Sequence, residues 1–176
     1  MKVVNASNYR QDKYYPAVVR AVAAILARSD VVAPVDVLLE MGCLDKRDLE
    51  AWRHGRVAFL EKVLAGNLSK ASRVLRLLAL QANDLEMRPS HTAYHQWGKG
   101  IHRQLRFSKS GKPIIESAYS RHFLWTKTPE AKQAAIARLN APKPGRPAPE
   151  SVGGPTPEMD GAAPPPPETG SAADGS

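Results

Sequence analysis

Apolar residues recur with a helical period through most of the first 140 positions. In "PAVVRAVAAILAR" (16–28), Val18, Val19, Val22, Ile25 and Leu26 fall on one stripe behind an initial proline, which predicts a helix. "PVDVLLEM" (34–41) again starts on proline and runs into Gly42, a residue suited to the left-handed position just past a helix end. Asp45 suits the cap of a helix through "KRDLEAWR", closed by His54-Gly55. "VAFLEKVLAG" (57–66) predicts a further helix ended by Gly66-Asn67. The longest helix is expected over 68–84, where apolar positions 71, 74, 75, 78, 79 and 82 keep the 3.6-residue period.

After Pro89 the pattern changes. "SHTAYHQW" (90–97) reads as one or two helical turns capped by Ser90. "QLRFSKSGKPIIE" holds two short segments around "KSGK", which fit either a β-hairpin turning at Ser110-Gly111 or an ordered basic loop. "PIIESAYSRHF" predicts a short helix packed by Ile115, Tyr119 and Phe123. "TPEAKQAAIARLN" predicts another, with a Thr128 cap, Pro129 in the first turn and a mostly alanine face, so that it is expected to dock weakly or protrude. At the other end, "NYRQDKYYP" (8–16) fits an arm that lies on the domain and staples the first helix.

These elements define a mostly α fold: a compact bundle of five to seven short helices, with a small β-hairpin or basic loop near 104–115. The expected organisation is a basic helical domain over 1–126, a C-terminal helix over 127–140, and a disordered Pro/Gly-rich acidic tail over 141–176. The tail holds ten of the 15 prolines and six of the 12 glycines, and Val152 and Met159 are its only large apolar side chains. Such a composition buries too little surface to offset chain entropy.

Charge sharpens this picture. Residues 1–140 carry 23 Lys+Arg against 12 Asp+Glu, a net +11, whereas residues 141–176 carry 2 against 5, a net −3. A basic domain attracts anionic partners, nucleic acid among them. The one cysteine, Cys43, is expected to be a small buried hydrophobe, and a lone thiol suits a reducing compartment. The longest apolar run, Ala21–Ala27, is too short to span a bilayer and no apolar leader precedes it, so the expected location is cytoplasmic, with no membrane contact.

The candidate chemistry centres on a span without acids. No Asp or Glu lies between Glu86 and Glu116, while Arg88, Lys99, Arg103, Arg106, Lys109 and Lys112 all do. The preceding helix adds Lys70, Arg73 and Arg76 on one arc. Several cations on one face bind phosphates because each neutralised phosphate releases counterions. Tyr94, Trp97 and Phe107 are candidate stacking platforms for unpaired bases, and Gly98, Gly100 and Gly111 let backbone amides approach a phosphate. Leu77 and Leu80 share the arc of the basic triplet, which implies that part of this face is covered.

Other motifs weigh less. "SKSGKP" fails as a Walker loop, because Arg106 and Pro113 stand where glycine and Ser/Thr are needed. "PVDVLLEMGCLDKRDLEAWRHG" outlines a helix-turn-helix in which Lys46, Arg47, Arg53 and His54 would face DNA; Asp45, Asp48 and Glu50 oppose that reading. His91 and His95, with His102 as a third ligand, offer metal-binding spacing without any neighbouring carboxylate or cysteine. The resulting expectation is a non-enzymatic nucleic-acid-binding accessory protein, with DNA or RNA as partner, no cofactor and no metal. One alternative is a protein-interaction adaptor using a leucine-rich helical face and the Pro-rich tail. A weaker one is a histidine- or metal-dependent phosphodiesterase.

Overall fold

A computed structural model describes residues 3–142, and Met1–Pro142 make up one compact unit. The tail expected to be disordered lies outside the described residues from position 143 onward. The helical stripes become α1 (Tyr15–Leu26), α2 (Pro34–Glu40), α3 (Lys46–Arg53), α4 (Leu68–Asp84), α5 (Pro113–Ser120) and α6 (Pro129–Asn140). The bundle is therefore mostly α, as its periodicity predicts.

The capping chemistry follows the sequence. The Asp45 carboxylate accepts the Arg47 amide at 2.8 Å, Asn67 accepts that of Lys70 at 2.8 Å, and Thr128 accepts that of Ala131 at 3.3 Å. Each satisfies one of the amides that a first helical turn leaves without a partner. Gly42 closes α2 at φ +64°, a conformation in which a Cβ would be strained.

Three expectations need correction. Residues 57–66 form only a short 3-10 turn at Leu60–Val63. "SHTAYHQW" is not helical. Its start belongs to strand β2 (Arg88–His91), in a small sheet with β1 (Val31–Val32) and β3 (Arg121–Leu124). Phe123, expected on the face of α5, sits in β3 instead. Of the two readings of "KSGK", the structure has the loop, and hairpin-like pairing occurs earlier: Leu105 N–H donates to Tyr94 O at 2.7 Å and Gln96 N–H to Arg103 O at 2.8 Å around the His95–Gln104 bridge.

The sheet is antiparallel in the order β1-β3-β2, pairing Val32 with Phe123 and Ser90 with His122. Pro89 is tolerated because β2 is an edge strand. Val18, Val22, Ile25 and Leu26 of α1 meet Val35 and Leu38 of α2, Val74, Leu77 and Leu78 of α4, and the fully buried Trp52 of α3 in one core. Cys43 is buried, as expected of a small hydrophobe. Helix α6 lies on α1 through Ala131, Ala135, Ile136 and Leu139. No described helix is long and apolar enough to cross a membrane.

The N-terminal arm lies along α4. Tyr9 and Arg10 both bond Asp84, the Arg10 contact being 2.5 Å, and Tyr15 Oη donates to Gln81 at 2.9 Å. Between these contacts and the turn at Lys70, Arg73 pairs with Asp12, whose side chain is 1% exposed. Asp12 also accepts the Tyr14 amide at 2.9 Å. Losing one partner of a desolvated pair strands the other charge, at a cost of about 3–5 kcal/mol. Arg73→Ala is therefore expected to lower the unfolding free energy by roughly that amount, with Asp12→Asn in the same chain recovering part of the loss. Urea denaturation of the two variants checks this, and a wild-type midpoint for Arg73→Ala would refute it.

Candidate nucleic-acid interface

The acid-free span divides into two parts with different fates. From 106 to 112 it is clasped by carboxylates supplied from elsewhere. Glu116 accepts the amides of Phe107 at 2.9 Å and Ser108 at 2.8 Å, and the Ser108 hydroxyl at 2.6 Å. Glu61 accepts the Lys109 amide at 3.0 Å. The Gly111 amide is taken by Ser108 Oγ at 3.0 Å, so it is not free for a phosphate. Arg106 folds its guanidinium back onto Lys109 O at 2.7 Å. Lys109 and Lys112 remain exposed on this fixed loop.

From 97 to 103 the chain is different. The paired segments 94–96 and 103–105 carry a loop in which Gly98 and Gly100 both take positive φ, at +122° and +104°. Trp97 (46% exposed) and Ile101 project here with Lys99 and Arg103, and neither cation has a side-chain partner among the described residues. His102 holds the loop by bonding Gln96 O through Nδ1 at 2.8 Å, which leaves Nε2 free.

The base of this loop is Arg53, at the end of α3. Its guanidinium carbon lies 4.6 Å from the ring centroids of both Tyr94 and Trp97, and Trp97 N–H donates to Arg53 O at 2.6 Å. His54 packs edge-on against Trp97. Gly55 (φ +72°) ends α3 so closely under Gln96 that an added Cβ would sit 2.7 Å from Cδ of that side chain. Arg53, His95, Gln96, Trp97, Gly98 and His102 line an open cleft of about 600 Å³. Arg53 forms no salt bridge among the described residues. Burial lowers its pKa from the ordinary value, opposed by Tyr94 and Asp36, yet a guanidinium stays charged.

Behind the cleft, His122 of β3 bonds Tyr94 Oη through Nε2 at 2.7 Å and Thr92 Oγ1 through Nδ1 at 3.3 Å. Burial pushes the His122 pKa down, against attraction from Asp36 and together with repulsion from Arg53. Burial pushes the Asp36 carboxyl up, against Arg28, His122 and Arg53. Tyr94 itself is pushed up to about 12, chiefly by burial, and keeps its proton.

The other expected contacts disperse. Arg73 is committed to Asp12, and Lys70 lies over the Tyr14 ring at 5.7 Å, so the arm covers the arc assigned to phosphates. Arg76 lines a different groove, against α5. Tyr94 (8% exposed) and Phe107 (3% exposed) pack around Trp52 and present no free face to a base; Trp97 alone of the three does. The leucine-rich face of α4 is likewise interior at Leu75, Leu77 and Leu78. His95 and His102 reach the same cleft, whereas His91 is in β2, and no group of three or more His, Cys, Asp or Glu among the described residues is arranged to hold a metal.

The sequence pattern marks Arg53 only as a helix-turn-helix residue and does not mark Asp36 or His122. The available signal was "AWRHG": a tryptophan that anchors a helix end, followed by a cation beside the terminating glycine. No protein-family model, curated protein or solved structure matches this chain.

The depressed His122 pKa sets a pH dependence. Between its folded value and about 6.5, the unfolded chain binds more protons, so the contribution is complete above that pH and lost as pH falls through the folded pKa. Asp36, shifted upwards, contributes in the opposite direction in any variant that retains it. The stability advantage of wild type over His122→Gln should therefore shrink between pH 7 and pH 5 in chemical denaturation. An advantage that stays constant over this range would exclude the linkage.

Proposed function

We propose that the protein is a non-enzymatic nucleic-acid-binding module that takes single strands at the Arg53–Trp97 cleft. The observation that carries this reading is Arg53: a guanidinium held against two aromatic rings, facing an open cleft, with no carboxylate bonded to it among the described residues. Stacking orders the side chain before any ligand arrives, so less entropy is lost when its N–H groups meet a phosphate. Trp97 supplies a half-exposed ring for a base. Lys99 and Arg103 supply mobile cations for flanking phosphates, and the imidazoles of His95 and His102 line the same cleft as hydrogen-bonding groups. An unpaired base fits this arrangement better than a duplex, whose bases hide their faces.

The test is fluorescence anisotropy with a mixed-sequence single-stranded oligonucleotide, as DNA and as RNA. Affinity is expected to fall with salt at a log–log slope of about −0.7 for each phosphate contacted. Trp97→Ala is expected to weaken binding by about 1–3 kcal/mol, the worth of one stacked base. Arg53→Gln and the Lys99→Glu/Arg103→Glu pair should weaken it too, while Lys70→Gln and Arg76→Gln leave it unchanged. Absence of binding at low salt ends the reading. Binding that ignores Arg53 and Trp97 removes the cleft as its site.

A further inference from the structure

A second concavity, unrelated to the cleft, opens between α4 and α5. It measures about 490 Å³, within the range of small-molecule sites. Its walls are apolar: Leu75, Leu78 and Ala79 of α4, Ile114 and Ala118 of α5, and Phe123 of β3. Ile114 is 79% exposed, a large hydrophobe left in water on the groove lining.

Two cations line the same groove, Arg76 from α4 and Arg121 from the start of β3. Neither guanidinium has an ion pair or a hydrogen bond among the described residues, and no carboxylate is part of the lining. Glu116, the acid of α5, is turned away to clasp the 107–108 amides. Ser72 and Ser117 add hydroxyls to the lining, and Tyr119, also part of it, donates its hydroxyl to Glu61 at 3.4 Å.

We infer that this groove binds a small amphipathic organic anion: an apolar chain or ring that ends in a carboxylate. The hydrocarbon displaces water from exposed Ile114 and half-buried Ala79, Ile115 and Ala118, over a floor of buried Leu75, Leu78 and Phe123, and the carboxylate meets Arg76 and Arg121 in charge-assisted hydrogen bonds. A polynucleotide suits this groove poorly. It carries a charge at every residue, and these walls offer apolar surface with no exposed aromatic face. A second copy of the chain suits it poorly too, because a folded part with net +11 over residues 1–140 brings cations towards two unpaired arginines.

Methyl NMR of the full chain tests this with octanoate, octanol and octylammonium as probes at constant ionic strength. Octanoate is expected to shift the Ile114, Ile115 and Ala79 methyls at about tenfold lower concentration than octylammonium, the scale of one charge-assisted contact. Arg76→Gln/Arg121→Gln should abolish that preference and leave the weaker octanol response intact. Arg53→Gln should change neither, which separates this site from the nucleic-acid reading. Equal responses to the three probes, or shifts scattered over the whole surface, would overturn the proposal. So would groove shifts that follow protein concentration without any probe, because the occupant would then be a second copy.

Discussion

The indole of Trp52 is the fixed point from which the rest is built. It is fully buried at the end of α3, and its Nε1–H donates to Arg106 O at 2.8 Å, an oxygen that also accepts the Leu60 amide at 3.2 Å. Its ring meets Tyr94 and Phe107 at 5.6 and 5.2 Å, and Phe107 stacks in turn on Tyr119 of α5. One side chain thus joins α3, the 94–105 pairing, the clasped loop and α5, in an arrangement whose geometry is worth more than its area alone. Arg53 is the next residue along the chain. The packing that immobilises Trp52 therefore also positions the cation, and Tyr94 serves both as core neighbour of the indole and as platform for the guanidinium.

Helices were legible in the sequence because their signals are local. A stripe of period 3.6, a proline in the first turn, or an Asp or Thr cap suffices for α1 to α4 and α6, and each lies within a residue or two of its expected bounds. The sheet was not legible, since nothing local encodes it. β1 is two residues long, β2 is the polar edge strand "RPSH", and β3 follows α5 directly with no glycine or proline between them. The β1–β3 pairing joins residues some ninety positions apart, Val31 with Leu124, β2 pairs with β3 across thirty or more, and a pattern of neighbours carries no trace of either.

The site was half legible for a related reason. Counting charge along the chain finds a span with no acid, but carboxylates act through space. Glu61 and Glu116 fold over Phe107–Lys109, and Asp12 reaches Arg73 across 61 positions. The presence of Leu77 and Leu80 on the basic arc was the one clue that something covers it, and the cover is the tyrosine-rich arm. What remains available in the acid-free span, Trp97 with Lys99 and Arg103, is the part to which no distant acid returns among the described residues.

This gives a rule for telling structural cations from available ones in a basic domain. Arg10, Arg28, Arg73, Lys127 and Lys132 are each paired with a carboxylate, and those pairs occupy Asp84, Glu40, Asp12, Glu86 and Asp30. Glu61 and Glu116 are taken by backbone amides, and Asp45 by its own helix cap. With 12 acids in the first 140 residues, few remain to neutralise the other cations. The excess charge must stay solvated or find an external anion. Most of it, on long mobile side chains, is served by water. Arg53 differs because two rings already hold it and part of its hydration is lost; Arg76 and Arg121 differ because apolar walls stand beside them. At Arg53 the free chain carries the cost of partial desolvation without a carboxylate partner among the described residues, and at both places an anion of matching shape has the most to gain.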